Sequence, residues 1–195
     1  MAIKQDISKA YDQVEWEFLR RIMLKLGIDA RWVCLAMETM TTASYLVLIN
    51  GEPKGFITPS RGIRQGYPLS PYLFLLCVEG LSSLIRKAVA SQSLHGILTC
   101  TNGVCVSHLL FADDSFIFCQ ATMEECQHLL TLLECYESAS SQAINRHKTS
   151  IFFSKNTRVE VKHDIQALLG AKIMKDYEKY LGLPMVGGKS KVHTF

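Results

Sequence analysis

Two adjacent aspartates, Asp113 and Asp114, interrupt an apolar stretch that begins at Leu109 and ends at Cys119. The hydrophobic residues on either side read as two well-buried strands, with the acids where the chain reverses. One reading is a polar turn, because aspartate tolerates turn geometry. Electrostatics supplies a second. Two carboxylates about 4 Å apart repel by roughly 4 kcal/mol at an effective dielectric of about 20. A divalent cation relieves that repulsion, and hard oxygen ligands suit Mg²⁺. Such an ion asks for a further carboxylate, and Asp6 is the candidate: it ends a short extended segment, Ile3-Lys4-Gln5-Asp6, just ahead of a helix. A sheet that sets a strand-end acid beside a hairpin acid can hold two metals. These would stabilise the attacking and leaving oxygens of a phosphoryl transfer. Asp12 reads instead as a helix N-cap.

The elements that must position these acids alternate between helix and strand patterns. A helix from about Asp12 carries Phe18, Leu19, Ile22, Met23 and Leu26 on one face and ends at Gly27. A second follows Asp29, with Trp32, Val33, Ala36 and Met40 at helical spacing. Residues 44–49 read as a strand, Asn50-Gly51 as a hairpin turn and Phe56-Ile57-Thr58 as the return. Ser70-Pro71 opens a long helix to about Ala90, with serine as N-cap and proline in the first turn. Thr122-Met123-Glu124-Glu125 is a capping box for a helix to about Ser138. Residues 149–153 form another strand, and Tyr180-Leu181-Gly182-Leu183-Pro184 reads as the first arm of a last hairpin. Hairpins together with separate helices indicate an α+β fold, an antiparallel sheet with helices on one face.

Composition excludes several classes. The 195 residues are 48% hydrophobic and 20% charged, enough apolar surface for one core. No run of about 18 apolar residues is present, so no membrane span is expected. The first residues lack the apolar stretch of a signal peptide. A net charge of +3 does not by itself imply nucleic acid. Seven cysteines, none in a C-x-x-C pair, read mostly as buried free thiols in the nucleus or cytoplasm rather than as a zinc site.

Five segments together resemble the reverse transcriptase domain of non-LTR, LINE-type retrotransposons, in the form common in plant genomes. They are Asp6-Ile7-Ser8-Lys9-Ala10-Tyr11-Asp12, Arg61-Gly62-Ile63-Arg64-Gln65-Gly66-Tyr67-Pro68-Leu69-Ser70-Pro71, Phe111-Ala112-Asp113-Asp114, Ala143-Ile144-Asn145-Arg146-His147-Lys148 and Tyr180-Leu181-Gly182-Leu183-Pro184. They follow the family's order over nearly the whole chain. The resemblance implies a polymerase palm across residues 1–195 and RNA-directed DNA synthesis from deoxynucleoside triphosphates on a DNA primer and RNA template. It also implies two Mg²⁺ ions, with Mn²⁺ as a substitute, held by Asp6, Asp113, Asp114 and the backbone carbonyl of Ile7. Tyr11 would lie under the incoming sugar and crowd a 2′-hydroxyl, which disfavours a palm enzyme that copies RNA into RNA. Arg64, Gln65 and Gly66 would contact nucleotide and template, and Lys148 would face the leaving pyrophosphate.

Three positions depart from the family pattern. Gln5 stands where an apolar strand residue is usual, Tyr67 where an aspartate commonly follows Gln-Gly, and Ser141 where glycine is usual. The resemblance also implies fingers upstream, a thumb downstream and an endonuclease domain, none of which these residues match. Those parts would act in trans, or the chain would be an inactive remnant or an interaction module on a palm fold.

Overall fold

A computed structural model describes residues 1–100, 103–174, 179–180 and 183–184. The first strand, β1 (Ala2–Ser8), is followed by α1 (Trp16–Lys25) and α2 (Ala30–Thr41). A hairpin of β2 (Tyr45–Ile49) and β3 (Glu52–Ile57) leads to the long helix α3 (Ser70–Ala90). Two short strands, β4 (Ile97–Leu98) and β5 (Cys105–Val106), precede β6 (His108–Phe111) and β7 (Asp114–Phe118). Then come α4 (Met123–Ser140), β8 (Ala143–Ile144), β9 (Ser150–Phe152), α5 (Val159–Leu169) and β10 (Lys172–Ile173). A last antiparallel pair joins β11 (Lys179–Tyr180) to β12 (Leu183–Pro184). The segment read above as a first arm therefore contributes to both arms, Tyr180 to one and Leu183 and Pro184 to the other.

The main sheet runs β10-β9-β1-β7-β6, with β8 also paired to β1. It is antiparallel except for β10, which lies parallel to β9. The parallel step follows from α5, an element the apolar pattern did not reveal. Parallel neighbours need a crossover, and a helix provides it. The fold is α+β and palm-like.

β1 is central, and period-2 alternation divides its side chains cleanly. Ile3, Gln5 and Ile7 are buried, while Lys4, Asp6 and Ser8 are half-buried on the other face. Two apolar clusters cover the buried face. One joins Ile3, Ile117 and Ile151 to Leu81 and Ile85 of α3 and Leu129 and Leu133 of α4. The other joins Ile7 to Leu19, Val33, Phe74 and Val78. β6 is an edge strand, and Leu109 and Phe111 are exposed, so only one arm of the acidic hairpin is deeply buried.

Several local expectations change for identifiable reasons. α1 begins at Trp16 after Glu15, which makes no side-chain cap. Asp12 lies in the preceding turn, its amide donating to the Lys9 carbonyl at 2.9 Å, so it is not an N-cap. Asp29 does cap α2, accepting from the Arg31 amide at 2.9 Å, although Trp32 points outward. Asn50 and Gly51 both take positive φ (52° and 82°), as a tight primed turn requires, and β3 starts directly after them. Ser70 is buried inside α3, and the N-cap position falls to Leu69 without a side-chain bond.

The capping box of α4 forms only halfway. Thr122 Oγ accepts from the Glu125 amide, but the Glu125 carboxylate accepts from the amides of His95 and Gln120 and meets the His95 ring. A loop that needs its amides satisfied has claimed it. Of the seven cysteines, Cys77, Cys119 and Cys126 are buried and the other four are exposed, so burial of the thiols holds for a minority. Burial pushes the Cys77 and Cys119 thiols up to about 12, which keeps them protonated and inert. Among the described residues no helix is long and apolar enough to cross a membrane.

Candidate active site

The acids meet because β1 lies beside β7 in antiparallel register, with Asp6 directly opposite Asp114. The hairpin between β6 and β7 closes on the facing pair Phe111 and Asp114 and leaves only Ala112 and Asp113 in its turn. Ala112 takes φ 50°, the left-handed conformation the tight reversal demands. The Ile7 amide donates to the Asp113 carbonyl at 3.1 Å and clamps that turn to β1. Asp113 is exposed, while Asp6 and Asp114 are half-buried.

A cavity of about 490 Å³ opens over these residues, lined by Asp6, Ile7, Tyr11, Gln65, Asp113 and Lys148 among others. Thus residues from four separate segments of the sequence converge. Asp114 does not line this cavity; Lys4 Nζ stands 3.4 Å from its carboxylate. Lys148 Nζ stands 3.1 Å from Asp6. Each of the cross-strand acids thus already draws a cation to its side. Among the described residues no group of three His, Cys, Asp or Glu side chains gathers as a ready metal cage. Two carboxylates and a backbone carbonyl on an open cavity fit Mg²⁺, which keeps waters and takes substrate phosphates as further ligands.

Tyr11 stacks on Phe74 of α3, ring centroids 5.1 Å apart and planes 13° from parallel. The stack fixes the ring on the floor between this cavity and a neighbour of about 470 Å³, which Gln65, Gly66, Tyr67 and Asp113 also line. The loop carrying Gln65 is tied to the turn after β1. The Ile63 amide donates to the Tyr11 carbonyl, and that of Gly62 to Val14, each at 2.8 Å. A Cβ at Gly62 would lie 2.7 Å from the Asp12 carbonyl oxygen, so glycine permits the close approach. Gly66 serves differently: it has open space around it and supplies a φ of 79°. Arg64 lies over the Tyr45 ring at 6.0 Å, outside the acid-lined cavity.

Three positioning residues were not singled out from the sequence. The Trp16 indole N–H donates to the Gly62 carbonyl at 2.7 Å. Gln142 donates to the Ala10 carbonyl at 2.9 Å and accepts from the Tyr136 hydroxyl, tying α4 to the same turn. The Asn145 amide donates to the Asp6 carbonyl at 2.8 Å, and the Asn145 carbonyl accepts from Lys148 at 3.1 Å. That short turn is what brings Lys148 to Asp6. Polar residues immediately after a helix were the available signal for Gln142 and Asn145.

The departures have visible consequences. Gln5 is 4% exposed and Ser115, opposite it across the strands, 2% exposed. Gln5 Oε1 and Ser115 Oγ have no hydrogen-bond partner among the described residues. Ser141 caps α4 at φ 58°, where glycine would carry no Cβ penalty.

A family model described as reverse transcriptase (RNA-dependent DNA polymerase) matches residues 1–185. An uncharacterized mitochondrial protein of Arabidopsis thaliana is 57% identical over 70 residues, covering 36% of this chain and 57% of that protein. The transposon TX1 uncharacterized 149 kDa protein of Xenopus laevis is 29% identical over 160 residues, 80% of this chain and 11% of its own length. The Pol polyprotein of the type-1 retrotransposable element R2 of Popillia japonica is 30% identical over 112 residues, 57% and 18% of the two chains. This chain therefore spans just over half of the first relative and less than a fifth of the other two. In fold it is similar to telomerase from Candida tropicalis in complex with a fragment of telomeric RNA. That match has a TM-score of 0.60 at 13% identity, over 100% of this chain and 30% of that one. The same enzyme in an apo, C-terminally truncated form gives 0.56 at 15% identity, over 76% and 29%. The chain belongs to the reverse transcriptase (RNA-dependent DNA polymerase) family, as the reverse transcriptase domain of a non-LTR retrotransposon.

Proposed function

We propose that this chain carries the nucleotidyl-transfer centre of an RNA-directed DNA polymerase, which adds deoxynucleotides to a primer 3′-hydroxyl paired to an RNA template. The observation that carries this reading is the shared cavity of Asp6, Asp113, Tyr11, Gln65 and Lys148, five groups of suitable chemistry from distant segments. Two Mg²⁺ ions, or Mn²⁺ in their place, would be held by Asp6, Asp113 and the Ile7 carbonyl with Asp114 alongside, and would supply Lewis acidity to the displacement. Asp6 and Asp113 would supply the negative charge that holds those ions, whose positive charge would in turn neutralise and orient the triphosphate. Lys148, 3.1 Å from Asp6 and otherwise well exposed, can swing to the departing pyrophosphate and stabilise its charge. Tyr11, held by Phe74, places a rigid ring against the sugar and leaves little room for a 2′-hydroxyl. Gln65 and Gly66 form the opposite wall and orient the nucleotide against its template base.

The test is single-turnover addition of dTMP to oligo(dT) on poly(rA), with the chain in excess over primer and Mg²⁺ present. Template-dependent addition that disappears in Asp113→Asn supports the reading. Absence of addition at saturating primer–template, with the chain folded, overturns catalysis by this chain. It would leave a palm fold serving as a remnant or an interaction module.

A further inference from the structure

The turn that carries Tyr11 is gripped from behind by the segment that follows α4. Antiparallel pairing sets Ile7 opposite Ile144 and Ser8 opposite Ala143. Beyond that pairing, the Ala143 amide donates to Gln13 Oε1 at 3.2 Å and the Glu15 amide to the Ser140 carbonyl at 3.3 Å. Between these ties sits a buried side chain. Gln142, 1% exposed, donates from Nε2 to the Ala10 carbonyl at 2.9 Å and accepts at Oε1 from the Tyr136 hydroxyl.

Chemistry fixes which way that amide faces. A backbone carbonyl only accepts, so the NH₂ end must meet Ala10 and the oxygen must meet Tyr136. Tyr136 is itself buried, which pushes its hydroxyl up and keeps it a protonated donor. The Phe18 ring meets Tyr136 edge-on at 6.0 Å and steadies the phenol. A strut therefore runs from α4 through Tyr136 and Gln142 to Ala10, the residue before Tyr11. Two further supports reach Tyr11 from the other side. Its ring stacks on Phe74 of α3, and its carbonyl accepts from the Ile63 amide. The ring thus stands where supports from α3, from the loop ahead of it and from α4 meet.

We propose that Gln142 is a positioning residue for sugar selection: through the Ala10 carbonyl it sets where the Tyr11 ring stands against the incoming sugar. The inference rests on the polymerase reading above and adds a residue that lines neither acid-bordered cavity. Without the Gln142 donor, the carbonyl of the buried Ala10 must find another partner, and the turn shifts toward one, carrying the ring with it.

Gln142→Met keeps the length of the side chain and removes both hydrogen bonds. Tyr136→Phe keeps Gln142 and removes the group that orients it. The first readout needs no turnover. The chain is labelled with 3-fluorotyrosine, and the Tyr11 fluorine signal is identified by its loss in Tyr11→Phe. Gln142→Met should shift or broaden that signal and leave that of Tyr72, exposed on α3, in place. Tyr136→Phe should move it by less. An unmoved Tyr11 signal in Gln142→Met overturns the proposal, as does equal movement of every tyrosine signal, which is general loosening. Should Gln142→Met not fold, Tyr136→Phe decides by the same criterion.

The second readout is single-turnover addition from dTTP and from UTP to oligo(dT) on poly(rA). The preference for dTTP should fall about tenfold in Gln142→Met, the scale of a sub-ångström displacement at a positioned centre. In a Tyr11→Ala background the same substitution should change the preference no further, because the ring it positions is gone. A preference retained in Gln142→Met, or an equal fall in both backgrounds, overturns the proposal and leaves the polymerase reading standing. No addition by the parent chain sinks the polymerase reading, and the fluorine signal still decides whether Gln142 holds Tyr11.

Discussion

The two faces of β1 treat polar residues in opposite ways. On the open face, Asp6 and its cross-strand partner Asp114 each sit beside a lysine, Lys148 and Lys4, in half-buried surroundings. On the buried face, one residue away, Gln5 and its partner Ser115 leave polar oxygens unmatched against the helices. The open face tolerates charge because ammonium groups and solvent meet it. The buried face has neither, so an unmatched amide costs about 1–3 kcal/mol. One departure from the family pattern, Gln5, thus falls where it weakens packing, while the acids on the other face stand complete. Stability and chemistry can drift separately on a single strand.

The sharpest way to break this comparison is to disable the open face. Asp113→Asn should lower single-turnover dTMP addition by more than about a hundredfold, since even outer-shell partners of metal sites cost about 10–100-fold. Urea unfolding of the same variant should give a midpoint near that of the parent, because Asp113 is an exposed turn residue. A large fall in stability would show that the open face also holds the fold together.

The next effect is expected on the buried face. Gln5→Leu removes the unmatched oxygen and should stabilise the chain by on the order of 1–3 kcal/mol, read as a higher urea midpoint at constant m-value. An unchanged midpoint would mean that the Gln5 oxygen is satisfied by water. Dye-free dTMP addition measured alongside should be unaffected.

Ser141→Gly should add about 1 kcal/mol at the end of α4 by relieving a left-handed non-glycine residue, less the entropy glycine costs in the unfolded chain. A loss of stability would show that Ser141 is held by interactions worth more than its strain.

The smallest effect is pH dependence at the edge of the sheet. His108 Nε2 is hydrogen-bonded to the Ser82 hydroxyl, whose oxygen also accepts from Arg86, and Nδ1 is hydrogen-bonded to the Ser107 hydroxyl. Burial, with help from the Arg86 charge, lowers the His108 pKa below its ordinary 6.5. The folded state therefore binds the proton less well than the unfolded chain. The associated stability is fully present above about pH 6.5 and is lost as pH falls through the lower folded value. Thermal unfolding between pH 7.5 and 5 should show a steeper fall for the parent than for His108→Gln. Parallel curves would remove this ring from the pH response.

Much of this is legible in the sequence alone, wherever short-range pattern carries the information. The Asn50-Gly51 turn, the Asp29 cap and the long helix after Ser70-Pro71 follow from local backbone chemistry. The five ordered motifs carried the palm-like α+β fold and the family, because spacing along the chain survives without knowledge of contacts. Other features depend on partners distant in sequence. Glu125 left its capping box because the His95 loop needed its amide satisfied. Asp12 gave up helix capping to the turn that receives Gly62. α5 and the parallel β10 escaped notice because their short apolar patterns gain meaning only against β9. Which face of β1 each residue would occupy was implicit in its alternation. That Asp6 would stand opposite Asp114, with Lys148 turned toward it, required register and packing across more than a hundred residues. Registry between strands is set by the whole buried surface rather than by any local run, and the site inherits its geometry from that surface.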